Sequence, residues 1–188
     1  MPRTPPTSLT PAAERLLAAA SDLFYARGIR AVGVDTIAEA AGTTKKTLYD
    51  RFGSKDALVA LYLAHRAQRW QQLLDEELAT DRSPVDRVRS VFDAAGRWLD
   101  GQERGCAFVN AYAEVGGTDH PALPVIRAEK EWMRQRLVAL AAEAGAADPE
   151  QTGASIHLLY EGALVATTAG NDPHALDTAR AAAARLLG

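Results

Sequence analysis

Four short signals that start helices divide much of this chain into segments with helical periodicity. Each places a threonine, serine or aspartate directly before a proline: Thr10-Pro11, Ser83-Pro84, Asp148-Pro149 and Asp172-Pro173. The side-chain oxygen can cap a helix, and proline suits the first helical position because its missing N–H would lack a helical partner anyway. Apolar residues then recur every three or four positions, and no segment alternates as a strand does. The sequence therefore predicts an all-α fold of about nine helices.

The first three predicted helices have the pattern of a helix-turn-helix domain. The first helix ends near Gly28, a short second helix ends at Gly42, and the third runs from about Thr44 to Phe52. Leu48 and Phe52 point inward from the third helix by periodicity. A short turn that contains glycine, between the second and third helices, is typical of the helix-turn-helix motif.

The same signals predict the division of the chain. Residues 1–10 are rich in proline and threonine and are predicted to be a disordered arm. Residues 11–53 are predicted to form a DNA-binding domain, and residues 54–188 a larger helical domain. Ser54 is the predicted cap of a long fourth helix that links the two domains.

Charge is distributed unevenly between these parts. Residues 1–55 contain eight basic and five acidic residues, a net charge of +3, whereas the rest contains 13 basic and 19 acidic residues, a net charge of −6. Lys45, Lys46 and Lys55 are three of the four lysines in the chain. A basic end on an acidic body is expected when only that end meets a polyanion.

The segment around these lysines resembles the TetR family of bacterial transcriptional regulators. The resemblance covers roughly residues 13–65 and rests on the order of Gly42 in the turn, Thr47-Leu48-Tyr49, Phe52 and Ser54-Lys55. It implies a homodimer that binds a palindromic, double-stranded DNA operator. Two-fold symmetry would place the recognition helices in major grooves about 34–36 Å apart.

The resemblance also implies the other partners. The larger domain would hold an unidentified small-molecule effector that releases the DNA, and its eighth and ninth helices, rich in small residues, would form the dimer interface. No cofactor is implied. A ligand-released repressor is the leading function, with an activator or a thiol-based sensor of oxidants or electrophiles as the alternative.

Six residues match the family's DNA-contacting positions: Thr44, Lys45, Lys46, Thr47, Tyr49 and Lys55. Thr44 would cap the third helix, while Tyr49 and Lys55 would contact phosphate; a lysine suits either a guanine edge or a phosphate. Two positions depart from the expected pattern. Gly33 has no hydroxyl to offer a phosphate, and Asp50 either reads a cytosine amino group or faces Arg51 or solvent.

The candidate effector-binding residues are bulky or polar residues on the apolar helices five to eight, as expected for a small-molecule pocket. They are Phe92, Phe108, Asn110, Tyr112, Glu114, Trp132, His157, Tyr160 and Glu161. His157 and Glu161 are four residues apart on one helix face, so they also match half of a metal site; a pocket or interface pair is the favoured interpretation.

Cys106 lies at the start of the predicted sixth helix, Gly105 to Val115, and is either a small buried residue or a reactive thiol. As the single cysteine, it excludes a disulfide within one chain.

Neither a phosphate-binding glycine loop nor a nucleophile elbow is found, so enzymatic activity is not expected. No apolar run reaches the roughly 20 residues that span a bilayer, and no apolar signal core follows the N-terminus, so a cytoplasmic protein without membrane contact is expected.

Overall fold

A computed structural model of the protein describes residues 9–188, and this part of the chain contains nine α-helices and no strand. The predicted all-α fold is confirmed. The helices are α1 (Pro11–Arg27), α2 (Val34–Ala40), α3 (Lys45–Phe52), α4 (Lys55–Leu78), α5 (Pro84–Leu99), α6 (Ala107–Val115), α7 (Ala122–Glu143), α8 (Pro149–Thr168) and α9 (Ala175–Arg185). Residues 1–8 of the predicted disordered arm lie outside the described residues.

Local capping explains why several helices begin where they do. The side-chain oxygens of Thr10, Ser83 and Asp148 accept hydrogen bonds from backbone N–H groups in the first turns of α1, α5 and α8. Ser54 does the same for α4, where its Oγ accepts from the Ala57 N–H at 3.0 Å. Each cap satisfies an N–H group that has no partner within its own helix.

The prediction for the ninth helix is wrong by two residues, because α9 begins at Ala175 and not at Pro173. Asp172 Oδ1 accepts a hydrogen bond from the His174 N–H at 2.9 Å, and the Asp172 carbonyl accepts from the Ala175 N–H at 3.3 Å. These bonds form a turn in place of the first helical residues. The predicted sixth helix also starts later, at Ala107, because Gly105 has a φ of +64°, outside the right-handed helical region.

The chain folds into two compact units, each formed by two stretches of sequence. The first unit, called here the head unit, comprises described residues 9–65 and 108–125, and the second, the body unit, comprises 66–107 and 126–188. The head unit therefore includes most of α6 and the start of α7 as well as the first three helices. The functional boundary predicted at residue 53 stays a prediction.

The core of the head unit positions α3. Leu16, Ile37, Leu48 and Leu58 are fully buried, and α1, α2 and α3 contact one another. Phe52, predicted to point inward, is only partly buried. α3 therefore depends mainly on Leu48 for its attachment to the head unit.

In the body unit, α9 packs on α5 and α8, and several small residues of α8 and α9 are buried. Ala175, Ala179 and Ala183 recur every four residues on α9 and are buried. Gly153 on α8 lies so close to α7 that a Cβ atom there would be 2.4 Å from the Cα of Val138. Many of the small residues assigned by sequence to a dimer interface therefore serve packing within the chain.

Candidate functional site

The turn before α3 is shaped by Gly42, whose φ of +60° lies in the left-handed region that favours glycine. This conformation lets the Thr43 N–H donate to the Ala38 carbonyl at 2.9 Å, which closes the end of α2. Thr44 then caps α3, with its Oγ1 accepting from the Thr47 N–H at 3.2 Å. The turn and the cap together set the direction in which α3 leaves α2.

The structure places the predicted DNA-contacting residues of α3 at the surface. Thr44, Lys45, Lys46 and Tyr49 are exposed and Thr47 is partly exposed, while Leu48 between them is completely buried. The N-terminal end of the helix therefore faces solvent, and its buried side fixes it to the head unit. The first residues of this short helix are therefore accessible to a binding partner.

Both lysines of α3 form exposed ion pairs. Lys46 Nζ lies 2.7 Å from Asp50 Oδ2, and Lys45 Nζ lies 3.2 Å from Asp35 Oδ2. The Lys46 side chain is 84% exposed, so its pair is well solvated. Exposed pairs contribute little to stability, about 0–1 kcal/mol, so these two pairs are easily broken. The structure thus gives Asp50 a lysine partner that the sequence analysis did not consider.

Lys55 has a different environment from the lysines of α3. Its Nζ donates to the Ile29 carbonyl at 2.6 Å and lies 5.9 Å from the centroid of the Phe24 ring. Gly33 caps α2 without any side-chain hydrogen bond, as its lack of a hydroxyl requires. Lys55 is therefore a residue of α4 whose ammonium group contacts the loop between α1 and α2.

The nine candidate effector-binding residues do not fall in one unit. Phe108, Asn110, Tyr112 and Glu114 belong to the head unit, whereas Phe92, Trp132, His157, Tyr160 and Glu161 belong to the body unit. The Tyr112 residue is 52% exposed, and the Glu114 carboxylate accepts hydrogen bonds from backbone N–H groups of residues 29 and 30. Phe92 and Tyr160 are buried, with ring centroids 6.3 Å apart.

The body unit holds a polar cluster around Lys130, which the sequence analysis missed. Lys130 Nζ lies 2.9 Å from Glu161 Oε1, 3.3 Å from Glu129 Oε2 and 3.4 Å from Cys106 Sγ. His157 Nε2 lies 3.4 Å from Glu161 Oε1. We call Cys106, Glu129, Lys130, His157 and Glu161 the Lys130 cluster.

Burial and neighbouring charges act in opposite directions on the pKa values of Glu129, Lys130 and Glu161. Burial raises the pKa of the Glu129 carboxyl and that of the neighbouring Tyr160 hydroxyl. Burial alone would lower the pKa of Lys130, but Cys106, Glu129 and Glu161 outweigh it and raise that pKa. Burial alone would raise the pKa of Glu161, but His157 and Lys130 lower it. Lys130 is therefore held as a cation, which favours anionic or polarised groups beside it.

The structure also bears on other kinds of site. Within residues 9–188 there is no group of three or more histidine, cysteine, aspartate or glutamate side chains placed to hold a metal ion. His157 and Glu161 therefore have no third metal ligand beside them in this part of the chain. None of the helices in the same residues combines the length and the apolar character that crossing a membrane requires.

Comparison with known families accounts for both ends of the chain. Residues 16–62 match the family of bacterial regulatory proteins called the tetR family, and residues 84–183, more than half of the chain, match the tetracyclin repressor-like C-terminal domain. The chain belongs to the TetR family. Members of this family are helix-turn-helix transcriptional regulators and not enzymes. The resemblance given by Gly42, Thr47-Leu48-Tyr49 and Ser54-Lys55 is thereby confirmed.

Solved and curated relatives of this TetR protein agree with the assignment. The TetR-family regulator SCO4454 of Streptomyces coelicolor is 29% identical, with a TM-score of 0.87 and 94% of each chain covered. The transcriptional activator FasR of Mycolicibacterium smegmatis is 32% identical over 48% of this chain and 42% of its own length. The transcriptional repressor Rv3405c of Mycobacterium tuberculosis is 33% identical over 52% of this chain and 49% of its own. The match thus spans less than half the length of these curated relatives.

Proposed function

We propose that this TetR protein is a ligand-responsive repressor that binds a palindromic operator as a homodimer and leaves it when a small-molecule effector binds. The exposed start of α3, seated on the buried Leu48, is the observation that carries the proposal. Two such helices, related by two-fold symmetry, would enter successive major grooves. FasR is an activator and Rv3405c a repressor, so these relatives do not decide between activation and repression. The position of the operator decides it, and footprinting locates the operator.

Within this proposal, the six DNA-contacting residues have separate tasks. Lys45, Lys46 and Thr47 face base edges or nearby phosphates, and Thr44 shapes the start of the helix. Tyr49 and Lys55 contact phosphates. Phosphate contacts set affinity and register, whereas contacts to base edges set sequence preference.

Substitution of two lysines distinguishes these tasks. Lys46→Ala is expected to change the ranking of operator variants, because it removes a contact to a base edge. Lys55→Ala is expected to weaken all sequences alike and to lower the slope of log K against log salt by about 1.8 for a dimer, at about 0.9 per lost phosphate contact. Binding assays over a salt series, on the operator and on variants changed at single positions, measure both effects. Equal, sequence-independent losses for the two variants would contradict a base contact by Lys46.

The proposed dimer interface is formed by the part of α8 that α9 leaves uncovered, together with the end of α9. Leu158 is 74% exposed and Val165 48% exposed, and the exposed Gly162 lies between them. Their spacing of four and three residues places them on one face of α8. Leu186, just after α9, is also exposed. Exposed apolar residues aligned along one helix are typical of a surface that pairs with another copy.

The proposed effector site is in the body unit. Tyr160 and Phe92 belong to the apolar core and Trp132 packs against it, while His157 and Glu161 form a polar pair on α8 with Nε2 and Oε1 3.4 Å apart. This combination supports a small-molecule site, and the fixed charge of Lys130 favours an effector with an anionic or strongly polarised oxygen. Phe108, Asn110, Tyr112 and Glu114 remain candidates from the sequence alone.

A thiol sensor is the second candidate function, and the 3.4 Å contact between Cys106 Sγ and Lys130 Nζ favours it. A neighbouring ammonium stabilises a thiolate, which is the nucleophilic form of cysteine. An α,β-unsaturated carbonyl compound would form a C–S bond at its β-carbon. The electrons of the double bond would pass to the α-carbon, which takes a proton from water. The net reaction adds S–H across the C=C bond.

Cys106→Ser tests the second candidate. If the thiol is the sensor, an electrophilic enone releases the parent protein from its operator and adds its own mass at residue 106, while the serine variant gains no mass and stays on DNA. Gel-shift assays and intact-mass spectrometry measure the two effects. Release of the serine variant at the same enone concentration would eliminate the thiol and leave the non-covalent effector.

A further inference from the structure

The loop between α1 and α2 is held by a carboxylate from a distant part of the chain. Glu114, on α6, accepts a hydrogen bond from the Ile29 N–H through Oε1 at 2.9 Å and another from the Arg30 N–H through Oε2 at 2.7 Å. All three residues belong to the head unit. Both carboxylate oxygens are thus used on two consecutive backbone donors. Hydrogen bonds of this charge-assisted kind are among the stronger ones in proteins.

Lys55, at the start of α4, contacts the same loop through its ammonium group. Lys55 Nζ donates to the Ile29 carbonyl at 2.6 Å. The Ile29 carbonyl and the Arg30 N–H belong to one peptide group, because the bond between residues 29 and 30 joins them. That single peptide group therefore lies between the Glu114 carboxylate and the Lys55 ammonium. Hydrogen bonds in such a chain polarise and strengthen one another, so the two charges are coupled through the peptide.

Gly28 is the residue that permits this arrangement. Its φ is +90°, and a Cβ atom there would lie 2.9 Å from Glu114 Oε1. Both the backbone conformation and the space beside the carboxylate therefore favour glycine. The loop conformation and the approach of Glu114 depend on the same residue, which ties the arrangement to this part of the sequence.

A second contact joins the same two parts of the head unit without involving Glu114. His120 Nε2 lies 3.4 Å from Asp56 Oδ1, in the first turn of α4, and His120 Nδ1 accepts from the Ala122 N–H at 3.1 Å. Removal of the Glu114 charge therefore leaves another link between residues 108–125 and α4. This makes Glu114 suitable for substitution in the folded protein.

We propose that Glu114 is a positioning residue for DNA binding, which holds the Lys55 ammonium in place for a phosphate through the Ile29–Arg30 peptide group. The inference rests on the proposed phosphate contact of Lys55. An ammonium group has three N–H donors, and the bond to Ile29 uses one of them. Glu114 keeps the carbonyl of Ile29 oriented and polarised, and that carbonyl in turn orients the remaining donors of Lys55.

The sign of the effect separates this role from simple electrostatics. Removing a carboxylate from a DNA-binding unit normally strengthens its binding to the DNA polyanion, because a repulsion is lost. If Glu114 positions Lys55, Glu114→Gln instead weakens binding, since the amide offers one acceptor and a donor where two acceptors are needed. Asp119→Asn is the matched control, because Asp119 is an exposed acid in the same segment of the head unit.

The test is a double-substitution cycle on the full-length dimer, with the affinity for operator DNA measured over a salt series. We expect Glu114→Gln to weaken binding by about 10- to 150-fold, the scale of a lost hydrogen bond to a charged group. The slope of log K against log salt should fall towards that of Lys55→Ala, and Asp119→Asn should leave affinity unchanged or increase it. In the Lys55→Ala background, Glu114→Gln should then change affinity less than about twofold.

The possible outcomes lead to different conclusions. If Lys55→Ala leaves affinity and salt slope unchanged, the proposed phosphate contact is wrong, and the positioning role is lost with it. If Lys55→Ala weakens binding but Glu114→Gln has the same effect with and without Lys55, only the inference about Glu114 is wrong. If Glu114→Gln does not fold, Glu114→Asp replaces it: this variant retains the charge with a shorter reach, and an unchanged salt slope in it would also overturn the inference.

Discussion

Leu158→Glu is expected to convert the proposed dimer of this TetR protein to a monomer and to weaken operator binding by about 10²- to 10⁴-fold, the range over which linking two binding units raises affinity. Leu158 is the most exposed large apolar residue in the described part of the chain, with 74% of its surface accessible. A two-fold interface would bring the same face of α8 from two copies together, so one substitution introduces two carboxylates. Burying them without partners costs more than the apolar contact they replace.

The measurements separate dimerisation from folding and from DNA contact. Sedimentation equilibrium gives the mass as a function of concentration, and gel-shift assays compare the full palindrome with a half-site. Binding to the half-site should be unchanged, since α3 is untouched. Val109→Glu is the control, because Val109 is an exposed apolar residue of α6 outside the proposed interface. A Leu158→Glu protein that remains a dimer and binds the palindrome as before would refute an interface on this face of α8.

The helices were predictable where the determining interactions are local. Thr10, Ser83 and Asp148 each bond to an N–H three residues later, so the sequence signal and the structural cause coincide. Asp172 has the same signal but uses its oxygen on the His174 N–H, two residues later, and α9 starts afterwards. The same sequence pattern therefore allows two alternative local hydrogen bonds, and the surrounding packing decides which of them forms.

The candidate DNA-binding residues were partly predictable for the same reason. Periodicity places Leu48 inside and Lys45 and Lys46 outside, as the structure has them. The partners of Lys45 and Lys55 were not predictable, because Asp35 is 10 residues away from Lys45 and the Ile29 carbonyl is 26 residues away from Lys55. Such contacts depend on how helices meet, which single-sequence patterns do not describe.

The body unit shows the limits of sequence patterns more clearly. Lys130 was missed although it is the single lysine outside residues 45–55, a signal that could have drawn attention to it. It is not part of a recognisable motif, and its partners Cys106 and Glu161 are 24 and 31 residues away in the sequence. Small residues on α8 and α9 suggested a dimer interface, but Gly153 and Ala179 are used for packing within the chain. Small residues indicate a close helix contact without identifying the partner helix.

Leu48→Ala is expected to lower the free energy of unfolding of the head unit by about 2–5 kcal/mol, the usual cost of truncating a fully buried leucine. Leu48 is 0% exposed and is the single buried residue of α3. Because Phe52 is only partly buried, no other side chain of α3 can replace this anchor. The loss is a large part of the roughly 5–15 kcal/mol that stabilises a typical domain.

Urea unfolding and amide hydrogen exchange of α3 measure this loss, and Arg51→Ala is the control. Arg51 is exposed in the same helix, so its substitution should change stability by no more than about 0.5 kcal/mol. In the proposed function, operator DNA binds only the folded head unit, so DNA at about 100 times its dissociation constant should restore about 2.7 kcal/mol to the variant. A loss below about 1 kcal/mol in Leu48→Ala would mean that the site collapses around the smaller side chain and that α3 is held by contacts other than its single buried residue.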